Sequence, residues 1–163
     1  MCRGGRRDGR AAFPDRVGGR PVKSRRSRAR EVALQSLYQV EVNAGVDPRD
    51  RERFHKGRLR SAALVAFANL LVDGVRERQA EIDALLDARS ANWRVSRMAA
   101  TDRAVLRIAA FELLHTDTPG PVVVDEAIEL ARRYGSEGSP KFVAGILGNL
   151  LEGRDGHAPP AAG

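Results

Sequence analysis

At 163 residues the chain has room for one domain with a single buried core, and at 42% hydrophobic residues it is too apolar to be disordered throughout. Aromatics make up only 5%, Ala and Leu carry most of the apolar surface, and strand-length runs of Val, Ile or aromatics are scarce, which favours helices over a β-sandwich. The net charge of +7 comes with no run of about 18 apolar residues, no apolar segment behind the N-terminal charges and a single cysteine, Cys2; a membrane span, a secretory signal, a disulfide framework and a cysteine-based zinc site drop out, and the expected location is cytoplasmic.

That charge is unevenly placed along the chain. Residues 1–30 hold eleven Lys/Arg and two Asp/Glu, a net of +9, whereas residues 31–163 hold seventeen and nineteen, a net of −2. Arg supplies 25 of the 28 basic residues, and GC-rich genes favour Arg, but GC content does not explain why acids avoid the first thirty residues. Positive charge gathered at one end, with no apolar face beside it, points to a polyanion, nucleic acid before membrane. Within it, residues 1–23 are Gly-, Arg- and Pro-containing with no hydrophobic period and are expected to form a disordered basic extension.

From Ser24 the pattern turns helical. Ser24 or Ser27 can cap a helix by accepting from free backbone N–H groups; Ala29, Ala33, Leu37 and Val40 recur on one face, widened by Val32 and Tyr38. Gly45 and Pro48 end it. A charged stretch, residues 49–60, leads into one long amphipathic helix carrying Leu64, Phe67, Ala68, Leu71, Val75, Ile82, Leu85 and Leu86, with Gly74 as the candidate bend. The chain turns through a short helix near Trp93 to Met98. A further helix starts near Thr101 and carries Val105, Ile108, Ala109 and Leu113.

After a loop with Pro119 and Pro121, the next helix presents Val124, Ala127, Ile128, Ala131 and Tyr134 and stops at Gly135. Ser139 is the expected cap of the last helix and Pro140 its first residue; Phe142, Val143, Ile146, Leu147, Leu150 and Leu151 form the stripe. Residues 153–163 read as a disordered tail, which leaves 24–152 as the folded domain. Helices joined by short connections, with no strand signal, make an all-α bundle.

Patterns that carry chemistry are scarce. His55, His115 and His157 lie far apart in no metal-binding spacing and read as solvated surface histidines. There is no phosphate loop, no dinucleotide glycine fingerprint and no serine elbow. Cys2 has no positioned base, and Glu126 and Glu129, one turn apart, read as decoration of a solvated face. A binding module without metal or cofactor is expected, rather than an enzyme.

Two clusters stand out for recognition. Arg25, Arg26, Arg28 and Arg30 sit where the basic extension meets the first helix, and guanidinium groups bind phosphate bidentately and stay charged, beside free helix N–H groups. Charge alone leaves nucleic-acid contact and a solvated charge run equally open. Lys141 and Phe142, at the start of the last helix, put a cation next to a ring that can stack an unpaired base. Pattern alone favours the other reading, Phe142 as the first core residue of its stripe.

The run Arg25-Arg26-Ser27-Arg28-Ala29-Arg30-Glu31, with Ala33, Gln35, Leu37 and Tyr38, resembles the opening helix of the bacterial transcription antitermination factor NusB family. Ala104-Val105-Leu106-Arg107-Ile108-Ala109 followed by Phe111-Glu112-Leu113 resembles its central helix. Residues Asp125 to Ala131, and Lys141-Phe142-Val143 with Gly145-Ile146-Leu147, are similar to its last two helices. The likeness spans residues 24–151 in the family's order and spacing.

The resemblance implies a bundle of about seven helices in two small subdomains. It also implies partners: NusE, a ribosomal protein of the small subunit; boxA-containing RNA of ribosomal RNA transcripts; and the RNA polymerase antitermination complex. By position it places Arg25, Arg26, Arg28, Arg30, Lys141 and Phe142 toward RNA, and Tyr38, Asp102 and Arg107 toward NusE.

Two positions depart from the family pattern: Gly138 stands where an acid is common, and Ala144 where Asn is frequent. Loss of the acid implies stronger RNA binding without NusE, or looser base selectivity. Two other readings stand beside this one. A NusB-like substrate-binding domain of an RNA cytosine methyltransferase would have to be a fragment or separate subunit, because 163 residues leave no room for the Rossmann-like catalytic domain. A protein-only helical interaction module is the other.

Overall fold

The computed structural model describes residues 25–90 and 92–155. The expected basic extension, residues 1–23, lies outside them, as do residues 156–163 of the expected tail. Among the described residues seven helices run in order: α1 (Arg25–Val42), α2 (Pro48–Arg58), α3 (Ala62–Glu77), α4 (Gln79–Arg89), α5 (Ala100–His115), α6 (Gly120–Tyr134) and α7 (Ser139–Asp155), with a 3-10 turn at Val95–Arg97. No strand occurs among the described residues. α1, α2 and α3 pack as one small bundle and α4 to α7 as a second; α5 touches α1 and α3 as well as α4, α6 and α7, so it belongs to both. One continuous apolar core results, with Leu71, Ile82, Leu86, Leu106 and Leu147 fully enclosed.

Close helix approach depends on small residues. Ala29 and Ala33 on α1 and Ala68 on α3 are fully buried, where a larger side chain would hold the two helices apart. Gly74 serves the same end between α3 and α5, because a Cβ there would overlap the Phe111 ring. It is not the bend that its sequence position suggested. The long amphipathic stretch instead breaks at Arg78, whose φ of −111° and ψ of 18° separate α3 from α4.

Three other local readings change. The charged stretch after Pro48 is a helix, α2, started by Asp47, whose side chain accepts from the Arg49 N–H at 2.8 Å, and by proline at its first position. Ser27 is no cap: it lies inside α1, buried, and donates to Glu126 Oε1 at 2.6 Å. Ser139 is already helical, and its Oγ accepts from the Ser136 N–H at 2.9 Å, which closes the turn behind α7 rather than capping the helix ahead. Gly135 does end α6, and a Cβ there would press on the Ser139 side chain and the Ala131 carbonyl. α7 continues through residues 153–155, which were expected to belong to the tail.

Candidate nucleic-acid interface

The first turns of α1 carry Arg25, Arg26 and Arg28 exposed to solvent. Arg30 is different. Only 3% exposed, it donates from Nε to Glu112 Oε1 at 2.5 Å and from Nη2 to Oε2 at 2.9 Å, and Glu112 itself is 1% exposed. The expectation that Arg30 faces RNA therefore gives way: its fork is filled by a carboxylate from α5. Arg26 and Arg30 are one turn apart, and both lie over the Phe67 ring, their guanidinium carbons 4.6 and 5.4 Å from its centroid. Arg26 is thus exposed and also held in place.

Ion pairs and hydrogen bonds fix this end of α1 to its neighbours. Ser27 reaches Glu126, Arg30 Nη1 lies 3.9 Å from Glu126 Oε2, and Glu31 pairs with Arg133. Glu126 is accordingly a tie between α6 and α1 rather than decoration. The Glu31–Arg133 pair sets the last turn of α6 beside the second turn of α1, and α7 begins after the short connection from Gly135 to Gly138. Arg25, Arg26 and Arg28 are in this way linked through the end of α6 to Lys141 and Phe142.

Lys141 is exposed; Phe142 is half-buried, packed against the core. Its ring meets Trp93 edge to face, with centroids 6.5 Å apart and planes at 87°. Trp93 is 57% exposed and was read from the sequence only as part of a turn. The signal that could have singled it out is composition: it is the only tryptophan in the chain, and it precedes Arg94 in a connection rather than on an apolar stripe. A Cβ at Gly138 would meet open space, so the departure from an acid there changes charge, not packing.

The residues expected to face a protein partner lie toward the other end of α1. Tyr38 is 42% exposed, about 18 Å along the helix from Arg26. Glu41, on the next turn, pairs with Arg103 on α5, adjacent to Asp102, so Tyr38 and Asp102 come to the same end of the bundle. Asp102 is buried in the first turn of α5, and its Oδ1 has no hydrogen-bond partner among the described residues. Arg107 is not displayed: Nε and Nη2 each donate to Asp83 at 2.8 Å, which ties α5 to α4.

His55 overturns the surface-histidine expectation. It is fully buried between α1, α2 and α3. Nδ1 lies 2.7 Å from Asn69 Oδ1 and therefore carries the proton, leaving Nε2 to accept from the Ser36 hydroxyl at 2.6 Å. Burial pushes its pKa below the usual 6.5, against the Asn69 hydrogen bond, which raises it. Serine, histidine and asparagine in contact have the types of a hydrolytic triad, but an enclosed imidazole and a buried serine offer no substrate an approach. The group is a polar joint between three helices. His157 lies outside the described residues. Among those described, no cluster of three potential metal ligands occurs, and no helix is long and apolar enough to cross a membrane.

The class this defines is a small all-α protein with exposed arginines on the first turns of α1 and, at the start of α7, an exposed lysine beside an aromatic pair. Known proteins make the class specific. The pattern of the NusB family matches residues 27–152, and the chain belongs to that family. A transcription antitermination protein NusB from Anaeromyxobacter dehalogenans (strain 2CP-1) is 46% identical over 141 residues, covering 86% of this chain and 96% of its own length. The solved T. maritima NusB superposes with a TM-score of 0.70 at 36% identity, over 82% of this chain and 93% of that one. A chain from the crystal structure of antitermination factors NusB and NusE in complex with dsRNA superposes with a TM-score of 0.69 at 24% identity, over 79% and 97%, which speaks to the fold.

Proposed function

We propose that this protein is a transcription antitermination factor that, with a NusE partner, binds boxA RNA of ribosomal RNA transcripts and helps RNA polymerase resist termination. It acts in the cytoplasm as a non-catalytic adaptor without cofactor. The observation that carries the RNA contact is the exposed trio Arg25, Arg26 and Arg28, on a helix end that is tied by Glu31–Arg133 to the segment leading to Lys141. Family membership and the names of the relatives support the assignment. Tyr38 and the α5 N-terminus form the surface we assign to NusE, with Asp102 buried in the first turn of that helix. Arg107 serves the α4–α5 joint instead.

The test is a titration of labelled boxA RNA with the protein, alone and with its cognate NusE, across salt concentrations. Four exposed cations on a single strand predict a slope of log K against log salt near about −3. Binding that ignores salt, or no RNA binding even with NusE, would defeat the proposal and favour a protein-only module.

A further inference from the structure

We infer that Trp93 is the base-stacking platform of this surface, with Phe142 as its brace, and that it takes an unpaired nucleobase of a single strand. The inference rests on the RNA-binding reading above and adds a residue and a ligand form to it. Tryptophan is usually highly buried, yet the Trp93 indole is 57% exposed. Slack after the ring does not account for this exposure, because the backbone at Trp93 and two residues beyond it is held. Ser90 Oγ donates to the Trp93 carbonyl, the Val95 N–H donates to Asp87 Oδ1 at 2.8 Å, and Arg103 Nη1 donates to the Val95 carbonyl at 3.2 Å. The fold thus fixes the main chain and leaves the ring outside.

Phe142 supplies the second half. Packed against the core and only half exposed, it has little ring surface of its own to offer, but its edge-to-face contact at 6.5 Å fixes the orientation of the indole. Exposed cations flank the pair: Arg94 and Arg97 follow Trp93, and Lys141 precedes Phe142. The nearest acid on α4, Asp87, is engaged by the Val95 N–H. A flat apolar ring among cations suits a ligand that is itself flat-ringed and anionic, which describes a single-stranded nucleic acid better than an apolar protein segment. Stacking tolerates every base, because each has a π-face, so Trp93 contributes affinity for unpaired strands rather than a sequence preference. Bases paired within an A-form duplex cannot reach it.

The lone tryptophan is its own reporter. The full chain is titrated with single-stranded boxA RNA and with the same RNA as a perfect duplex, following indole fluorescence and, independently, the anisotropy of labelled RNA. Single strand is expected to quench the indole in step with anisotropy, and duplex to leave it unchanged. Trp93→Ala should weaken single-strand binding about tenfold or more and leave duplex binding unchanged, whereas Trp93→Phe should keep most of the affinity. Circular dichroism melting is expected to match for all three proteins. RNA binding with no fluorescence change and no loss in Trp93→Ala would overturn the inference while leaving the antitermination reading intact. Equal weakening of single strand and duplex would assign Trp93 a structural role, and loss of NusE association instead would assign it to a protein surface; either result overturns the inference. No RNA binding by anisotropy, with or without NusE, removes the reading beneath it.

Discussion

Arg26 and Arg30 have the same side chain, the same helix and the same aromatic neighbour, one turn apart, yet Arg26 ends in solvent and Arg30 ends in the core. What separates them is Glu112. Its carboxylate, on α5, stands where the Arg30 fork can reach it with two hydrogen bonds, and among the described residues nothing comparable stands beyond Arg26. A run of arginines in the sequence is therefore two different things in space: an exposed set that we assign to RNA, and one strut that holds the helix bearing it against α5. The same guanidinium chemistry serves both, because a fork that fits a phosphate also fits a carboxylate.

The sharpest way to break this comparison is at the strut. Glu112→Ala leaves the Arg30 charge buried without its partner, and such losses cost about 3–5 kcal/mol. Urea unfolding should show this drop, with RNA affinity at low denaturant falling far less than stability. Replacing both partners together, Arg30→Met with Glu112→Leu, should recover most of the loss, since apolar pairs often substitute for buried ion pairs at little net change. An unaltered urea midpoint in Glu112→Ala would mean that Arg30 swings out to solvent and belongs with Arg26 after all.

His55 extends the comparison to a buried group that is neutral. Because its folded-state pKa lies below the ordinary 6.5, the unfolded chain binds the extra proton first as pH falls. Its contribution to stability is thus full above about pH 7, declines as pH drops through the unfolded value near 6.5, and levels off below the folded value. Urea midpoints measured from pH 8 to pH 5 should fall accordingly, and His55→Gln should flatten that dependence. The substitution should also lower stability at neutral pH by about 1–3 kcal/mol, as Ser36 and Asn69 lose their shared partner. A wild-type midpoint independent of pH over this range would contradict the assignment of a neutral, enclosed imidazole.

Helices on strong apolar stripes were legible residue by residue: α5, α6 and α7 lie where Val105, Ala127 and Val143 recur, and those residues are buried. α2 was not, because PRDRERFHKGR has almost no stripe and its helix depends on the Asp47 cap and Pro48. The α3–α4 break was misplaced at Gly74 because a glycine in a helix signals either flexibility or close approach. Only the position of Phe111, 37 residues away, decides between them. The site was legible in part for the same reason. Charge density marks arginines, but long-range partners such as Glu112 for Arg30 and Asp83 for Arg107 are fixed by the fold. Trp93 stood in no periodic stripe, and its pairing with an aromatic emerges only when α7 brings Phe142 against it.

The gentlest test addresses the surface side of the comparison, and it gains its force from leaving Arg30 untouched. Replacing all of Arg26, Arg28 and Arg30 would confound recognition with stability, because the third is a strut. Arg26→Ala with Arg28→Ala removes two exposed cations, and the expected loss of stability is small, about 1 kcal/mol or less, chiefly from the Arg26 contact with Phe67. RNA affinity should fall for boxA and unrelated single strands alike, and the magnitude of the salt slope should shrink by about 1.4, two phosphate contacts' worth on a single strand. NusE association, which we assign to the Tyr38 end of the helix, should be unchanged. A salt slope that stays at its wild-type value would show that these arginines are solvated charges like any others, and that the cations contacting phosphate lie elsewhere, with Lys141, Arg94 and Arg97 next in line.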